Sequence, residues 1–235
     1  MSKTKDTTAI LGLIEELPLT GQFSLHLKSE YSDMTIICGD KTFPAHKLVV
    51  CPRSKYFHRA CFGGFREAES PIHLDDQDPI IIEKMLEYLY KGDYTCQIAS
   101  ASGSSVNSDS VSGHGSSYFH ALMYAAADYL MIEDLKRKSM EYFSSKFMPS
   151  TSLNLAGSSV VSLPRIKKEF AETIEEIYST RADYQELRKL AIEKIKDDLF
   201  LLRKGNKPII NSELMKSNPD FTYDLCEATL TKYVA

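Results

Sequence analysis

The sequence predicts an α+β fold: a short three-stranded sheet flanked by helical hairpins, followed by an all-helical C-terminal annex. Two observations carry this. The apolar, β-branched runs SDMTIIC (32–38) and SPIHL (70–74) sit among segments with helical spacing, and strands mixed with helices in this way form α+β domains. Beyond residue 165 the apolar residues recur three and four apart with no strand-like run between them, which is the period of a helix face.

The elements follow in order. AILGLIEEL (9–17) places Ile10, Leu13, Ile14 and Leu17 on one helical face, ended by Pro18; so short a helix needs something to dock on. SDMTIIC and KTFPA (41–45) flank Gly39-Asp40, which reads as a hairpin. Leu48, Val49, Val50, Tyr56, Phe57, Ala60, Cys61 and Phe62 are apolar, with Pro52 between two groups of them. This predicts two short helices, 46–51 and 53–62, with Ser54 capping the second and Gly63-Gly64 closing it. SPIHL is the third strand. Asp78 then stands as N-cap with Pro79 at the first helical position, before a stripe of Ile82, Met85, Leu86, Leu89 and Tyr90 stopped by Gly92.

Residues 99–117, ASASGSSVNSDSVSGHGSS, carry only two isolated valines among their polar residues and bury too little surface to offset the entropy of ordering them. A helix pair resumes beyond them. Phe119, Leu122, Met123, Ala126 and Leu130 share one face, and Leu135, Tyr142 and Phe143 belong to the next helix. After a second Ser- and Pro-containing linker (149–164), Ile166, Phe170, Ile174 and Ile177 make one stripe. Leu187, Ala191, Ile195 and Leu199 make another, ended by Gly205. Ser212 and Asn218-Pro219 mark two further starts, and Phe221, Leu225 and Ala228 the last stripe.

The chain has 235 residues, 43 % of them hydrophobic, and a net charge of −4. At about 150 residues per domain this is one domain or one and a half, and no basic excess draws it to nucleic acid or to an anionic membrane surface. Its five cysteines (Cys38, Cys51, Cys61, Cys96 and Cys226) form no CxxC pair, which favours reduced thiols and an intracellular location, cytoplasm or nucleus. The N-terminal run is too short and interrupted for a signal peptide, and no uncharged apolar run is long enough to span a membrane.

No catalytic or metal-binding pattern stands out. His46, Cys51, His58 and Cys61 do not match structural zinc spacings, and their distribution over two helices and a break reads as packing and capping. There is no GxSxG elbow, Walker loop or HExxH, and the Ser and His of GHGSS (113–117) lie in the Ser-rich stretch, where a catalytic group lacks preorganisation. The basic run Lys136-Arg137-Lys138 reads as a solvated helix turn. One polar pair bears on structure. If Asp33 and His46 meet under the sheet, a charge-assisted bond fixes the turn; alternatively His46 simply begins a helix.

Taken together, YSDMTIICGDKTFPAHKLVVCPRSKYFHRACFGGFREAES (31–70) resembles the opening of a BTB/POZ domain. Ser32-Asp33, Phe43, Ala45-His46-Lys47, Arg53-Ser54, Tyr56-Phe57, Phe65 and Glu67 occupy its pattern, with Asp33, His46, Ser54, Tyr56 and Phe57 as the structural signature. EKMLEYLYKGDY is similar to the family's next helix, with Lys91 where Thr is usual. ALMYAAADYLMIEDLKRKSMEYF is similar to its closing helix pair, with Asp128 where Lys is common. The resemblance covers residues 20–148. It implies an N-terminal helix or arm over 1–20 and a BTB fold over 21–148, with a core motif at 31–98, the Ser-rich loop at 99–117 and closing helices at 118–147. The linker 149–164 and a helical region, 165–235, follow. The insertion and the helical tail are similar to those of BTB proteins abundant in fungi.

BTB domains are protein-interaction modules, so the resemblance implies no enzyme and no cofactor. It implies two kinds of protein partner. One is a second copy, a homodimer formed through Ile10, Leu13, Ile14 and Leu17; the alternative is that this helix packs on its own domain or frays. The other is the type-three cullin of a ubiquitin ligase. Phe65-Arg66-Glu67 occupies the place of the apolar-x-Glu motif that plugs into the cullin; the alternative is that Phe65 packs on the core and Glu67 faces solvent. The expected function is thus a substrate adaptor of a cullin-RING ubiquitin ligase, and the alternative is a homo-oligomerising scaffold or transcription-related BTB protein. No kelch, MATH, ankyrin or zinc-finger module is present to choose a ubiquitination substrate.

Overall fold

The computed structural model describes residues 25–64, 70–96, 117–147, 163–205 and 208–234. The helix expected over 9–17, with Ile10, Leu13, Ile14 and Leu17, lies outside them. So do Phe65, Arg66 and Glu67, the Ser-rich stretch as far as residue 116, and the linker as far as residue 162. By its contacts the chain divides into two compact units: one runs to Thr95 and takes in Tyr129–Glu133, and the other holds Cys96–Asp128 and everything from Asp134 onward.

The first unit is built on a three-stranded sheet in the order β2-β1-β3. β1 (Met34–Cys38) and β2 (Lys41–Ala45) form the hairpin, with Cys38 opposite Lys41 and Gly39-Asp40 as its two-residue turn. Gly39 takes φ +58°, the left-handed backbone that such a turn needs and glycine adopts freely. Met34, Ile36 and Cys38 point inward and alternate with less buried residues. Pro44 is tolerated because β2 lies at the edge, where its missing N–H breaks no ladder. The third strand is shorter than SPIHL. Ile72–His73 (β3) pair with β1 in parallel, the Leu74 N–H adds a bond to the Ile37 carbonyl at 2.8 Å, and Pro71 before them has no N–H to contribute.

Between β2 and β3 run α1 (Lys47–Val50) and α2 (Lys55–Phe62). Val50, Cys51, Phe57 and Cys61 are buried, whereas Leu48 and Phe62, apolar members of the same run, point outward. α3 (Pro79–Lys91) starts as its sequence requires: the Asp78 carboxylate accepts the Ile80 N–H at 2.7 Å. It ends at Gly92, φ +76°. Its stripe of Ile82, Met85, Leu86, Leu89 and Tyr90 is buried.

Asp33 and His46 do not pair. Asp33 accepts the backbone N–H of Lys47 at 2.7 Å, capping α1 from across the hairpin. The His46 ring, 5 % exposed, turns instead to α3. Its Nδ1 lies 2.7 Å from the Tyr90 hydroxyl and its Nε2 2.7 Å from the Glu30 carbonyl. The carbonyl can only accept, so in the neutral ring Nε2 carries the proton and Nδ1 accepts from Tyr90. The same hydroxyl accepts the His46 backbone N–H at 2.9 Å. One phenol thus holds the start of α1 against α3, and His46 passes the connection on to the 25–32 segment.

The second unit is helical: α4 (Ser117–Tyr129), α5 (Glu133–Lys146), α6 (Leu163–Ile177), α7 (Gln185–Arg203), α8 (Ser212–Ser217) and α9 (Pro219–Val234). α4 and α5 share one core cluster with α6–α9. Phe143 and Phe147 stack at 5.1 Å, and Phe147 on Phe170 at 5.7 Å. The stripes of Phe170, Ile174 and Ile177, of Leu187, Ala191 and Ile195, and of Phe221 and Leu225 all face into this cluster. Asn211, one residue before the expected start, caps α8 by accepting the Leu214 N–H at 2.8 Å.

Two measurements check this description. Tyr90→Phe strands the His46 N–H and Nδ1 in the interior, at a cost of roughly 1–3 kcal/mol; an unchanged urea midpoint contradicts the hub. His120, 1 % exposed, is pushed down to about 4 from the ordinary 6.5 by burial and then by the charge of Lys146. The unfolded chain therefore takes up a proton that the folded one refuses. The associated stability is full above pH 6.5, declines as pH falls towards 4, and amounts to roughly 3 kcal/mol. His120→Phe is expected to flatten this acid limb in denaturation curves recorded from pH 7 to pH 4.

Candidate interaction face

The first unit exposes a run of large side chains along α2 and the turn at 129–133. Ser54 sets their positions. It is 1 % exposed, and its hydroxyl accepts the Phe57 N–H at 3.1 Å, capping α2, while donating to the Leu130 carbonyl at 2.7 Å. Arg53 beside it donates to the Leu89 carbonyl near the end of α3. Phe57 and Cys61, four apart, face inward. The opposite side of α2 is left to Tyr56, Arg59 and Phe62.

Tyr56 and Arg59 meet the 129–131 turn. The Tyr56 ring lies 5.5 Å from that of Tyr129 and edge-on to Phe57 at 5.4 Å. Arg59 reaches the Met131 sulfur at 3.9 Å, and the His58 ring leans on Phe62 at 5.3 Å. Phe62, Tyr129 and Met131 are 62 %, 46 % and 36 % exposed. Met131 holds φ +53°, a left-handed backbone costing a non-glycine residue about 1–2 kcal/mol. The Ser54 bond to the preceding carbonyl helps hold the turn there. Aromatic residues, methionine and arginine on one rigid support are the residue types enriched where proteins bind proteins.

Past Phe62 the helix closes at Gly63, and Gly64 turns the chain with φ +74°. Phe65-Arg66-Glu67 is the next segment of sequence. Of the signature residues, Ser54, Tyr56 and Phe57 frame this face, whereas Asp33 and His46 belong to the hairpin and its join to α3. The four residues of the zinc question separate: His46 is bound to Tyr90, Cys51 and Cys61 are buried, and His58 is exposed. Among the described residues no group of three or more His, Cys, Asp and Glu side chains could hold a metal ion, and no helix is long and apolar enough to cross a membrane. Sequence reading alone missed the exposure of Phe62 and the parts played by Arg59, Tyr129 and Met131. A helical wheel carries part of the signal: with Phe57 and Cys61 inward, Phe62 is turned about 100° away from Cys61.

Comparison with known proteins gives a consistent result. The family described as BTB/POZ domain matches residues 23–147. BTB/POZ domain-containing protein 9 of Homo sapiens is 35 % identical over 71 residues, which are 29 % of this chain and 12 % of that protein. Kelch-like protein 25 of Homo sapiens is 23 % identical over 127 residues, 53 % of this chain and 18 % of that protein. The chain thus spans less than a fifth of either relative. Among solved structures, the BTB domain of human gigaxonin aligns with a TM-score of 0.38 and 18 % identity, over 53 % of this chain and 86 % of that one.

The two roles of Ser54 separate by substitution. Ser54→Ala loses both bonds and is expected to cost about 1–2 kcal/mol. Asp is as good a cap as Ser but, ionised, has no proton to give the Leu130 carbonyl. Ser54→Asp is therefore expected to be no more stable than Ser54→Ala, and full wild-type stability for Ser54→Asp in urea denaturation contradicts the second bond.

Proposed function

The chain belongs to the BTB/POZ domain family, and from that premise we propose that it works as a substrate adaptor of a cullin-RING ubiquitin ligase, with the N-terminal region of the type-three cullin seated on the α2 face. One observation supports this above the rest. Phe62 on α2 and Tyr129 and Met131 on the turn that α2 packs against are exposed, and α2 leads in sequence straight towards Phe65-Arg66-Glu67. In this reading Phe65 is the buried ring, Glu67 sets the register through its charge, and Arg66 borders them. A desolvated aromatic beside an oriented charge is the usual form of an energetic hot spot. The helical region over 165–235 adds contacts with the cullin or with a substrate. Homodimerisation through Ile10, Leu13, Ile14 and Leu17 is compatible with this role, because those residues lie far from 62–67 in sequence.

Capture by the purified N-terminal region of the cullin tests the adaptor role. Wild-type protein is expected to bind at micromolar concentration or tighter. Phe65→Ala with Glu67→Ala is expected to abolish capture while leaving the circular dichroism spectrum unchanged. Absence of wild-type capture at micromolar concentration removes the adaptor reading and leaves the homo-oligomerising or transcription-related scaffold. Light scattering on the full chain and on a chain lacking residues 1–20 tests the dimer: twice the monomer mass is expected for the first and a monomer for the second. A monomer mass in both rejects it.

A further inference from the structure

The buried thiols of Cys51 and Cys61 have no part in the interaction face, yet they are placed together. Cys51 is the C-cap of α1, directly before Pro52, and Cys61 lies near the end of α2. They are 3 % and 6 % exposed. The Cys51 thiol donates to the Phe57 carbonyl at 3.7 Å, the carbonyl that α-helical geometry offers to the N–H of Cys61. The Cys61 side chain is near enough to Cys51 to weigh on the acidity of its thiol. The other cysteines are engaged or placed elsewhere: Cys38 donates to the Gln77 carbonyl, Cys96 meets His120, and Cys226 is exposed on α9.

We infer that Cys51 and Cys61 are an oxidisable dithiol, which a two-electron oxidant of the peroxide class converts into a single intramolecular disulfide joining the end of α1 to α2. The thiolate of one cysteine attacks a peroxide oxygen, breaking the O–O bond and becoming a sulfenic acid as the first water leaves. The second thiol, surrendering its proton, displaces the sulfenic oxygen as the second water and closes the S–S bond. Two thiols and one hydrogen peroxide thus give one disulfide and two waters, with sulfur oxidised and peroxide reduced.

The surroundings set the kinetics. Burial, and then the neighbouring Cys61, push the Cys51 thiol up to about 12, so few thiolates exist at neutral pH and the first step is slow. The same burial shields the finished disulfide from reducing thiols, which need access to sulfur. The pair is a slow latch that records sustained oxidation, and it is independent of which partner the α2 face takes.

Tryptic mapping of the full chain tests this without any substitution. Cys51 lies on the peptide Leu48–Arg53 and Cys61 on Ala60–Arg66. After hydrogen peroxide treatment, quenching and alkylation, the two peptides are expected as one linked species, two hydrogens lighter than their sum. Its rate of formation is expected to rise about tenfold per pH unit and to keep rising above pH 9, where a thiol of ordinary acidity levels off. In Cys61→Ser, Cys51 is expected to form no disulfide, its oxidation stopping at a sulfenic acid that dimedone captures. Recovery of both wild-type peptides fully alkylated after the exposed Cys226 has been oxidised overturns the inference. So does a disulfide from Cys51 to any cysteine other than Cys61.

Discussion

A single hydroxyl controls the face on which the functional account turns. Ser54 satisfies one of the orphan N–H groups at the start of α2 and, from the same oxygen, donates to the carbonyl just before Met131. The second bond joins segments that are 76 residues apart in the chain, while the first is local to α2. Without the first, the opening turn of an eight-residue helix loses its cap. Without the second, a strained turn loses one of its tethers, and Tyr129 and Met131 are no longer held beside Tyr56 and Arg59. A surface built from two distant segments stays in one shape only if something buried fixes them together, and such preorganisation lowers the entropy lost on binding.

Much of this was legible in the residues, because each signal was local. Asp78 before Pro79, Ser54 before an apolar pair four apart, and Gly92 after a stripe each act within a turn or two of helix, and the structure uses them in those roles. The long-range choices were not legible in the same way. Nothing near His46 in sequence says that its ring will turn to Tyr90, 44 residues on, while Asp33 takes the Lys47 N–H. The Tyr90 hydroxyl that the tertiary structure offers to His46 is buried and correctly aimed, and Asp33 serves better as an acceptor at the start of α1. The exposure of Leu48 and Phe62 was not legible for a related reason: in a four- or eight-residue helix, apolar residues around the whole circumference leave the buried side undecided until the sheet and α3 are in place.

The helices after the second linker show a different dependence. Their stripes were readable one by one, but a stripe does not say what it packs against. In the structure α4 and α5, which lie within the span matched by the BTB/POZ family, contribute Tyr124, Phe143 and Phe147 to the cluster that also buries Phe170, Leu187, Ile195 and Phe221. A boundary drawn at a Ser-rich linker follows composition, whereas the core follows apolar area. The C-terminal helices cover aromatic surface that the closing pair would otherwise leave to water, at about 25 cal/mol per Å². The annex is therefore part of the folding unit of that pair, and its removal exposes Phe143 and Phe147.

The central claim is that a cullin partner sits on α2 and the 129–131 turn. Amide hydrogen exchange of the full chain, with and without the N-terminal region of the type-three cullin, tests it most directly. Slowed exchange confined to residues 55–67 and 129–133 is expected, with the β1–β2 hairpin unchanged. Bound cullin that leaves both segments exchanging at their free rates, and protects another surface instead, contradicts it.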